Sequence, residues 1–274
     1  MTIEELEAAI FAKTLQAEEL WKTFAREAQM YSTPLFALAK APQGEPLKLA
    51  GSGTLLAKGN NHYILTAGHV WHEVLKDADF VGVTLRETYD HTCLLETSSI
   101  VAYEPEHPAK WGEWGPDVIL LQIPAVRVGE IKAFKVFYEM EAGLEAMVAC
   151  DRNETYLLAG TPEVLGSYTE NHASVQLLAM WVGAPQPYTR EAWDYFDVEA
   201  ALHPPSEANT FGGVSGGGLW RVQIYAEPGT GQIASRMTLE GLAFYELGTK
   251  NGKGVIRCHG VQSIRKALDL LPHS

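Results

Sequence analysis

The sequence has few cysteines and no long apolar run. Only three of its 274 residues are cysteine, at Cys93, Cys150 and Cys258, and this odd, widely spaced set provides neither a disulfide framework nor a paired Cys-x-x-Cys metal site. We expect buried, reduced thiols. No run reaches the roughly eighteen apolar residues that a membrane-spanning helix needs. The segment 1–7 is acidic where a secretory signal would be basic and then apolar. These features predict a cytoplasmic protein with no membrane partner.

The sequence also lacks a basic patch. Its formal net charge is −13, which repels phosphate backbones and anionic lipid surfaces, so we expect no nucleic-acid partner. An acidic excess is also common in ordinary soluble proteins, where it maintains solubility. With 46% hydrophobic residues, the chain can bury a full core in one large domain or two small ones.

The chain begins with a helical pattern and then changes to strands. Between residue 2 and about residue 29, apolar residues recur at spacings of three to five, which predicts one or two amphipathic helices. Beyond Pro34, short apolar or alternating runs are separated by turn-rich pieces. The predicted strands fall into two sets, at 47–56, 63–66, 80–85, 93–103, 118–123 and 131–137, and at 155–159, 175–182, 196–201, 218–225, 238–245 and 255–258.

Two such sets with no long helix between them predict an all-β fold of two six-stranded antiparallel β-barrels. Apolar residues at helical spacing over 261–271 predict a closing C-terminal helix. The expected domains are therefore a helical leader over 1–33, a first β-barrel over 34–135, and a second β-barrel with the C-terminal helix over 136–274.

Two segments offer a base and a nucleophile. His69 lies in the segment 66–70, which directly follows the apolar run 63–65, where an imidazole can reach into a cleft, although most histidines in a chain with nine of them are structural. Ser215 is the hydroxyl at the centre of the glycine-rich segment 212–218. Glycines let the backbone turn sharply and point N–H groups into a cavity, as an oxyanion hole requires. A flexible Gly/Ser turn is the alternative interpretation.

Asp117 is the third candidate. It opens the apolar run 118–123, where a carboxylate is costly unless a partner holds it, and a histidine Nδ1–H is a suitable partner. A turn aspartate that caps a strand is the alternative interpretation. Four other aspartates are poorer candidates because none opens such a run: Asp77, Asp79, Asp90 and Asp151.

The candidates occur in the order His, Asp, Ser, which differs from the order in subtilisin and in the α/β-hydrolases. The segments 66–69 (Thr-Ala-Gly-His), 117–121 (Asp-Val-Ile-Leu-Leu) and 213–217 (Gly-Val-Ser-Gly-Gly) resemble the three signature segments of the trypsin-like serine peptidase family, and 239–244 resembles its Leu-x-Gly strand. The resemblance extends from about Leu35 to the end of the chain.

The resemblance implies a chymotrypsin fold and a serine endopeptidase that acts on protein or peptide substrates through an acyl-enzyme. Ser215 would attack the peptide carbonyl, His69 would transfer the proton, and Asp117 would orient the imidazole. The backbone N–H groups of Gly213 and Ser215 would bind the oxyanion. No metal or organic cofactor is expected.

The resemblance also implies a substrate-binding pocket. Asn209 would lie at its base, and Phe244, Tyr245 and Glu246 would form one wall and pair with the substrate backbone. Phe244 replaces a residue that is usually small, which indicates a narrowed pocket or an assignment that is off by one residue. His259 is either a pocket residue that binds an acidic side chain or a structural histidine.

One departure from the family concerns activation. Val214 stands where many members have an aspartate that pairs with a newly cut N-terminus, so we do not expect activation by trimming. The leader would instead dock on the barrels or on a regulatory protein partner. Two alternatives to the endopeptidase remain open, an esterase with the same triad and an inactive or partner-activated binding module.

Overall fold

Most of the described chain is β-strand. The computed structural model describes residues 14–39, 48–86, 91–106, 114–140, 154–168, 173–201, 210–226, 233–250 and 253–272. The α-helices are α1 (Thr14–Met30), α2 (Ala125–Lys132) and α3 (Val261–Leu268), and shorter turns are a π-helix (Val70–Leu75) and two 3-10 helices (Thr97–Ser99 and Glu163–Leu165). Within these ranges, no helix combines the length and apolar character that crossing a bilayer requires.

The first sheet has eight strands: β1 (Ser32–Leu38), β2 (Lys48–Lys58), β3 (Asn61–Thr66), β4 (Phe80–Thr84), β5 (Thr92–Glu96), β6 (Val101–Tyr103), β7 (Ile119–Gln122) and β8 (Tyr138–Glu139). Their order is β5-β4-β1-β2-β3-β7-β6, with every pair antiparallel, and β8 pairs in parallel with β2. β3 and β7 are neighbours, and this pairing brings the end of β3 next to the start of β7, where Asp117 lies.

The second sheet has seven antiparallel strands in the order β12-β9-β15-β16-β17-β14-β13. These are β9 (Glu154–Gly160), β12 (Leu178–Val182), β13 (Gln186–Arg190), β14 (Trp193–Ala200), β15 (Gly218–Ala226), β16 (Ile233–Lys250) and β17 (Lys253–Gly260), while β10 (Ser167–Tyr168) and β11 (Ala173–Ser174) form a separate pair.

The predicted all-β architecture with two antiparallel sheets is confirmed, and a helix ends the described chain as expected. The prediction of six strands in each unit is wrong, since the two sheets contain eight and seven strands within the described residues alone. The predicted strand 131–137 is also wrong, because α2 extends to Lys132 and is followed by a turn. The run 93–103 divides into β5, a 3-10 turn and β6. The domain division at 33/34 and 135/136 stays a prediction.

The sequence pattern does not reveal strand β1, because Pro34 interrupts it. Proline removes a ladder N–H and is therefore rare inside a central strand. β1 nevertheless lies between β2 and β4: its pairing with β2 includes Pro34, but its pairing with β4 begins only at Leu35. Pro34 therefore lies at a position where β1 pairs with only one neighbouring strand.

The main hydrophobic core contains residues of both sheets and also of α1 and α3. Phe24 and Ala28 of α1 are buried in it, and the ring of Trp21 meets the edge of Trp181 in β12 with centroids 4.5 Å apart. Lys135 Nζ donates to the Gln29 carbonyl near the end of α1, at 3.0 Å. The described part of the leader therefore packs on the two sheets. This agrees with the expectation that the leader docks on the barrels.

The thiols of Cys93 and Cys258 are free and buried, as expected, whereas Cys150 lies outside the described residues.

Candidate active site between the two sheets

His69 lies just after β3 and Asp117 just before β7, two neighbouring strands of the first sheet. His69 follows β3, immediately before the π-helix whose residues Val70, Trp71 and Leu75 are buried and fix its position. The Asp117 side chain is 6% exposed and that of His69 is 29% exposed. The imidazole therefore reaches solvent while the carboxylate is enclosed.

Asp117 contacts His69 at two points. Its Oδ2 lies 2.6 Å from His69 Nδ1, and its Oδ1 accepts the backbone N–H of His69 at 2.8 Å. Because a carboxylate accepts hydrogen bonds, this contact places the imidazole proton on Nδ1 and leaves the lone pair of Nε2 free to accept a proton.

The surroundings of His69 raise its pKa. Burial lowers this pKa, but the hydrogen bond to Asp117, the charge of Asp117 and the charge of Glu73 raise it, and the net pKa lies above its ordinary value. The imidazolium is therefore stabilised relative to a free histidine, which suits a group that must take up a proton during a reaction.

His259 supports Asp117 from the second sheet. It is fully buried, and its Nε2 accepts the backbone N–H of Asp117 at 3.0 Å. Burial lowers the pKa of His259 to about 4, against opposing contributions from Asp117 and Asp194, so the ring is neutral near pH 7 and can accept. This placement favours the structural interpretation of His259 over the pocket interpretation.

Ser215 lies on the loop 211–217, which leads into β15 of the second sheet. Gly213 and Gly216 have φ angles of 86° and 92°, in the left-handed region that glycine adopts without strain. A Cβ atom at Gly216 would lie 1.9 Å from the carbonyl oxygen of Ser52. The loop therefore needs glycine both for its backbone angles and for its close approach to β2.

In each of the four peptide groups that link residues 212 to 216, the carbonyl accepts a hydrogen bond. The donors are Glu163 N–H to the Gly212 carbonyl (2.7 Å), Ser52 Oγ–H to Gly213 (2.7 Å), Gly217 N–H to Val214 (2.8 Å) and Ser52 N–H to Ser215 (2.8 Å). Because a trans peptide is planar, holding the carbonyl also fixes the direction of the N–H in the same unit.

The N–H groups of Gly213 and Ser215 are oriented in this way by the bound carbonyls of Gly212 and Val214. Within the described residues, neither of these two N–H groups has an acceptor. By contrast, Val214 N–H donates to the Phe211 carbonyl and Gly216 N–H to the Ala243 carbonyl. Within the described residues, the loop thus leaves two N–H donors without an acceptor, and unpaired donors of this kind are one requirement of an oxyanion hole.

The two halves of the site meet at Gly51 of β2. A Cβ atom built there would lie 2.7 Å from the side chain of Val70, which follows His69, and 2.9 Å from the carbonyl oxygen of Ser215. Ser215 Oγ itself donates to the Phe244 carbonyl at 3.5 Å, and no hydrogen bond between Ser215 and His69 is formed in the described structure. Such bonds are often long in the absence of substrate.

The predicted substrate-binding residues are placed as follows. Phe244 is buried, and its ring stacks on His259 with centroids 4.2 Å apart, so its carbonyl rather than its ring faces Ser215. Tyr245 is 40% exposed. Glu246 Oε2 accepts the backbone N–H of Phe211 at 3.0 Å and so anchors the loop. Asn209 lies outside the described residues. The roles of these residues in substrate binding stay predictions.

Sequence reasoning did not find Ser52. Its hydroxyl is fully enclosed, donates to the Gly213 carbonyl, and accepts the backbone N–H of Thr161 at 2.9 Å. The only signal in the sequence is a serine between two glycines at 51–53 within a strand, which by itself indicates no more than a close backbone approach.

No protein family model matches the chain, and no curated protein matches it. Many solved structures match the chain. One of them, described as "Aromatic interactions drive the coupled folding and binding of the intrinsically disordered Sesbania mosaic virus VPg protein", aligns with a TM-score of 0.44 and 12% identity over 88% of this chain and 96% of that chain. The two antiparallel sheets described above fit a chymotrypsin-like fold.

Proposed function

We propose that this protein is a cytoplasmic serine endopeptidase of the trypsin-like type, acting on protein or peptide substrates. The observation that carries the proposal is the two-point contact of the buried Asp117 with His69, which leaves Nε2 of the imidazole free to take a proton. The N–H groups of Gly213 and Ser215, which have no acceptor among the described residues, support it, because acyl transfer requires donors for a developing oxyanion.

In this proposal, Ser215 Oγ bonds to the substrate carbonyl carbon while its proton passes to His69 Nε2. The carbonyl oxygen becomes an oxyanion that the N–H groups of Gly213 and Ser215 bind. The C–N bond then breaks as His69 gives the proton to the leaving amine. A water molecule attacks the acyl-enzyme with His69 again as base, which releases the acid and restores Ser215. Asp117 stabilises the imidazolium in both halves.

A fluorophosphonate probe tests the proposal directly, because it labels a serine that is activated by a neighbouring base. We expect stoichiometric labelling of Ser215 in the wild-type protein and none in His69→Ala. A peptide-library digest should then show cleavage by the labelled protein. Ester turnover without any peptide cleavage would instead support the esterase, and absence of labelling under all conditions would contradict an assembled site.

A partner-activated form is the second candidate, since Ser215 Oγ bonds to the Phe244 carbonyl and not to His69. In this form a bound partner or substrate would turn the hydroxyl toward Nε2. Slow labelling of the protein alone that becomes fast with a peptide substrate analogue would favour it. A regulatory partner through the leader stays a prediction, and such a partner would have to bind surfaces other than the buried Phe24 and Ala28.

The pH profile of kcat/KM should rise at a pH above the ordinary histidine pKa of about 6.5. His69 must be neutral to act as base, so activity appears as pH rises through its pKa, and Asp117 and Glu73 raise that pKa. Glu73→Gln removes one raising charge and should move the rising limb to lower pH while the plateau is unchanged. If the midpoint of the rising limb lay below pH 6.5 in the wild type, or moved to higher pH in Glu73→Gln, the assignment of His69 as the base would be contradicted.

A further inference from the structure

Among the residues that the structure describes, Ser52 is the one residue of the first sheet that binds two carbonyls of the loop 211–217. Its hydroxyl donates to the Gly213 carbonyl at 2.7 Å and its backbone N–H donates to the Ser215 carbonyl at 2.8 Å. The hydroxyl is itself oriented, because it accepts the backbone N–H of Thr161 from the second sheet at 2.9 Å. The Ser52 carbonyl accepts the Thr66 hydroxyl at 2.7 Å, so the hydroxyl, the N–H and the carbonyl of Ser52 are all engaged.

The two bonds from Ser52 are made to alternate peptide groups of the loop 211–217. Ser52 holds the units that follow Gly213 and Ser215, while the units that precede them are held from within the second sheet by Glu163 and Gly217. The backbone of Gly213 is therefore fixed on both sides, and so is that of Ser215. Because Gly213 lacks a side chain and has a positive φ, it has the freedom to rotate unless both neighbouring peptides are bound.

Val214 is apolar and buried, so it cannot form the ion pair that orders this loop in many trypsin-like peptidases. Other contacts must therefore order the loop. The loop belongs to the second sheet, whereas His69 and Asp117 belong to the first, so a contact from β2 to the loop also sets the distance between the two halves of the site.

We propose that Ser52 is a positioning residue that holds the two oxyanion-binding N–H groups in place from the first sheet, in the absence of an ordering ion pair. This inference rests on the proposed peptidase function for its effect on catalysis. Its structural part, the ordering of the loop by the Ser52 hydroxyl, can be measured independently of any activity.

The test compares Ser52→Ala with Ser32→Ala. Ser32 is equally buried, and its hydroxyl also donates to a backbone carbonyl, that of Ala28 at 2.9 Å, but it is not part of the site. We expect Ser52→Ala to lower kcat by about 10- to 100-fold with KM nearly unchanged, because misplaced oxyanion donors weaken binding of the transition state alone. Ser32→Ala should leave kcat unchanged at a similar cost in thermal midpoint.

Hydrogen–deuterium exchange provides the second measurement. In Ser52→Ala, the N–H groups of Val214 and Gly216 should exchange faster than in the wild type, because the peptides on which they lie lose or loosen their contact with β2. In Ser32→Ala they should exchange at the wild-type rate. Ser52→Cys keeps a weak donor at nearly the same place and should give an intermediate kcat and exchange rate, which preserves the test if Ser52→Ala does not fold.

The outcomes separate the two claims. Equal kcat and equal loop exchange in Ser52→Ala and Ser32→Ala would overturn the role of Ser52 while leaving the peptidase proposal intact. If the wild-type protein neither labels nor cleaves peptides, the peptidase proposal fails, and loop exchange alone then decides whether Ser52 orders the loop. Faster exchange confined to Ser52→Ala would support that role, and unchanged exchange would overturn it.

Discussion

Replacing the proposed nucleophile, Ser215→Ala, is expected to lower kcat by about 10⁶-fold, because the three residues act as a unit and only oxyanion and binding contributions remain. The fold should persist. The Ser215 backbone is held by bonds that the substitution keeps, from Ser52 N–H to its carbonyl and from Gly216 N–H to Ala243. The side chain has one weak contact, to the Phe244 carbonyl at 3.5 Å.

The measurement is kcat on a peptide substrate found by library profiling, together with the thermal midpoint of each variant. Ser99→Ala is a matched control, since it deletes an exposed hydroxyl that donates to the Glu96 carbonyl and, within the described residues, contacts no residue of the site, and its kcat should equal that of the wild type. Peptidase activity that persists in purified Ser215→Ala would remove Ser215 as the nucleophile.

The second large effect is expected for Asp117→Asn, a loss of about 10⁴-fold in kcat with the fold retained. Asp117 presents one acceptor to the His69 backbone N–H and another to Nδ1–H. An asparagine has a single oxygen, so if the oxygen stays with the backbone N–H, the amide NH₂ faces Nδ1 and forces the proton onto Nε2. The imidazole then cannot accept the proton of Ser215.

Asp194→Asn is the matched control for this substitution. The Asp194 carboxylate accepts the backbone N–H groups of Gln262 and Ser263 at the start of α3, at 3.0 and 2.8 Å. Its loss should affect stability, whereas kcat should change by only a few-fold. If Asp117→Asn retained most of its activity, or if Asp90→Asn or Asp151→Asn caused the large loss instead, the assignment of Asp117 would be incorrect.

Much of the site could be predicted because its parts are local in sequence. An imidazole directly after a strand, a carboxylate directly before one and a hydroxyl within a glycine run are each visible in a few consecutive residues. The structure brings the first two into contact at 2.6 Å. Their pairing follows from the order of the strands, since β3 and β7 are neighbours in the first sheet.

The rest could not be predicted because it depends on side-chain packing that no short stretch of sequence specifies. The sequence suggests Phe244 as a pocket wall or a shifted register, but its ring stacks on His259, a partner that lies on the neighbouring strand β17. The segment 131–137 has apolar residues that suit a strand as well as the end of a helix, and periodicity over so short a run does not separate them. Its helix is decided by the packing of the buried Ile131.

The sequence by itself determined the alternation of short apolar runs and turns, and with it the two antiparallel sheets, because side-chain period and turn chemistry are local properties. It also determined the presence and order of His69, Asp117 and Ser215. Only the tertiary structure decided that His259 receives the Asp117 N–H and that Ser52 holds the Gly213 and Ser215 carbonyls. These bonds join residues more than 100 positions apart, and a backbone N–H or carbonyl carries no residue-specific signal from which its partner could be inferred.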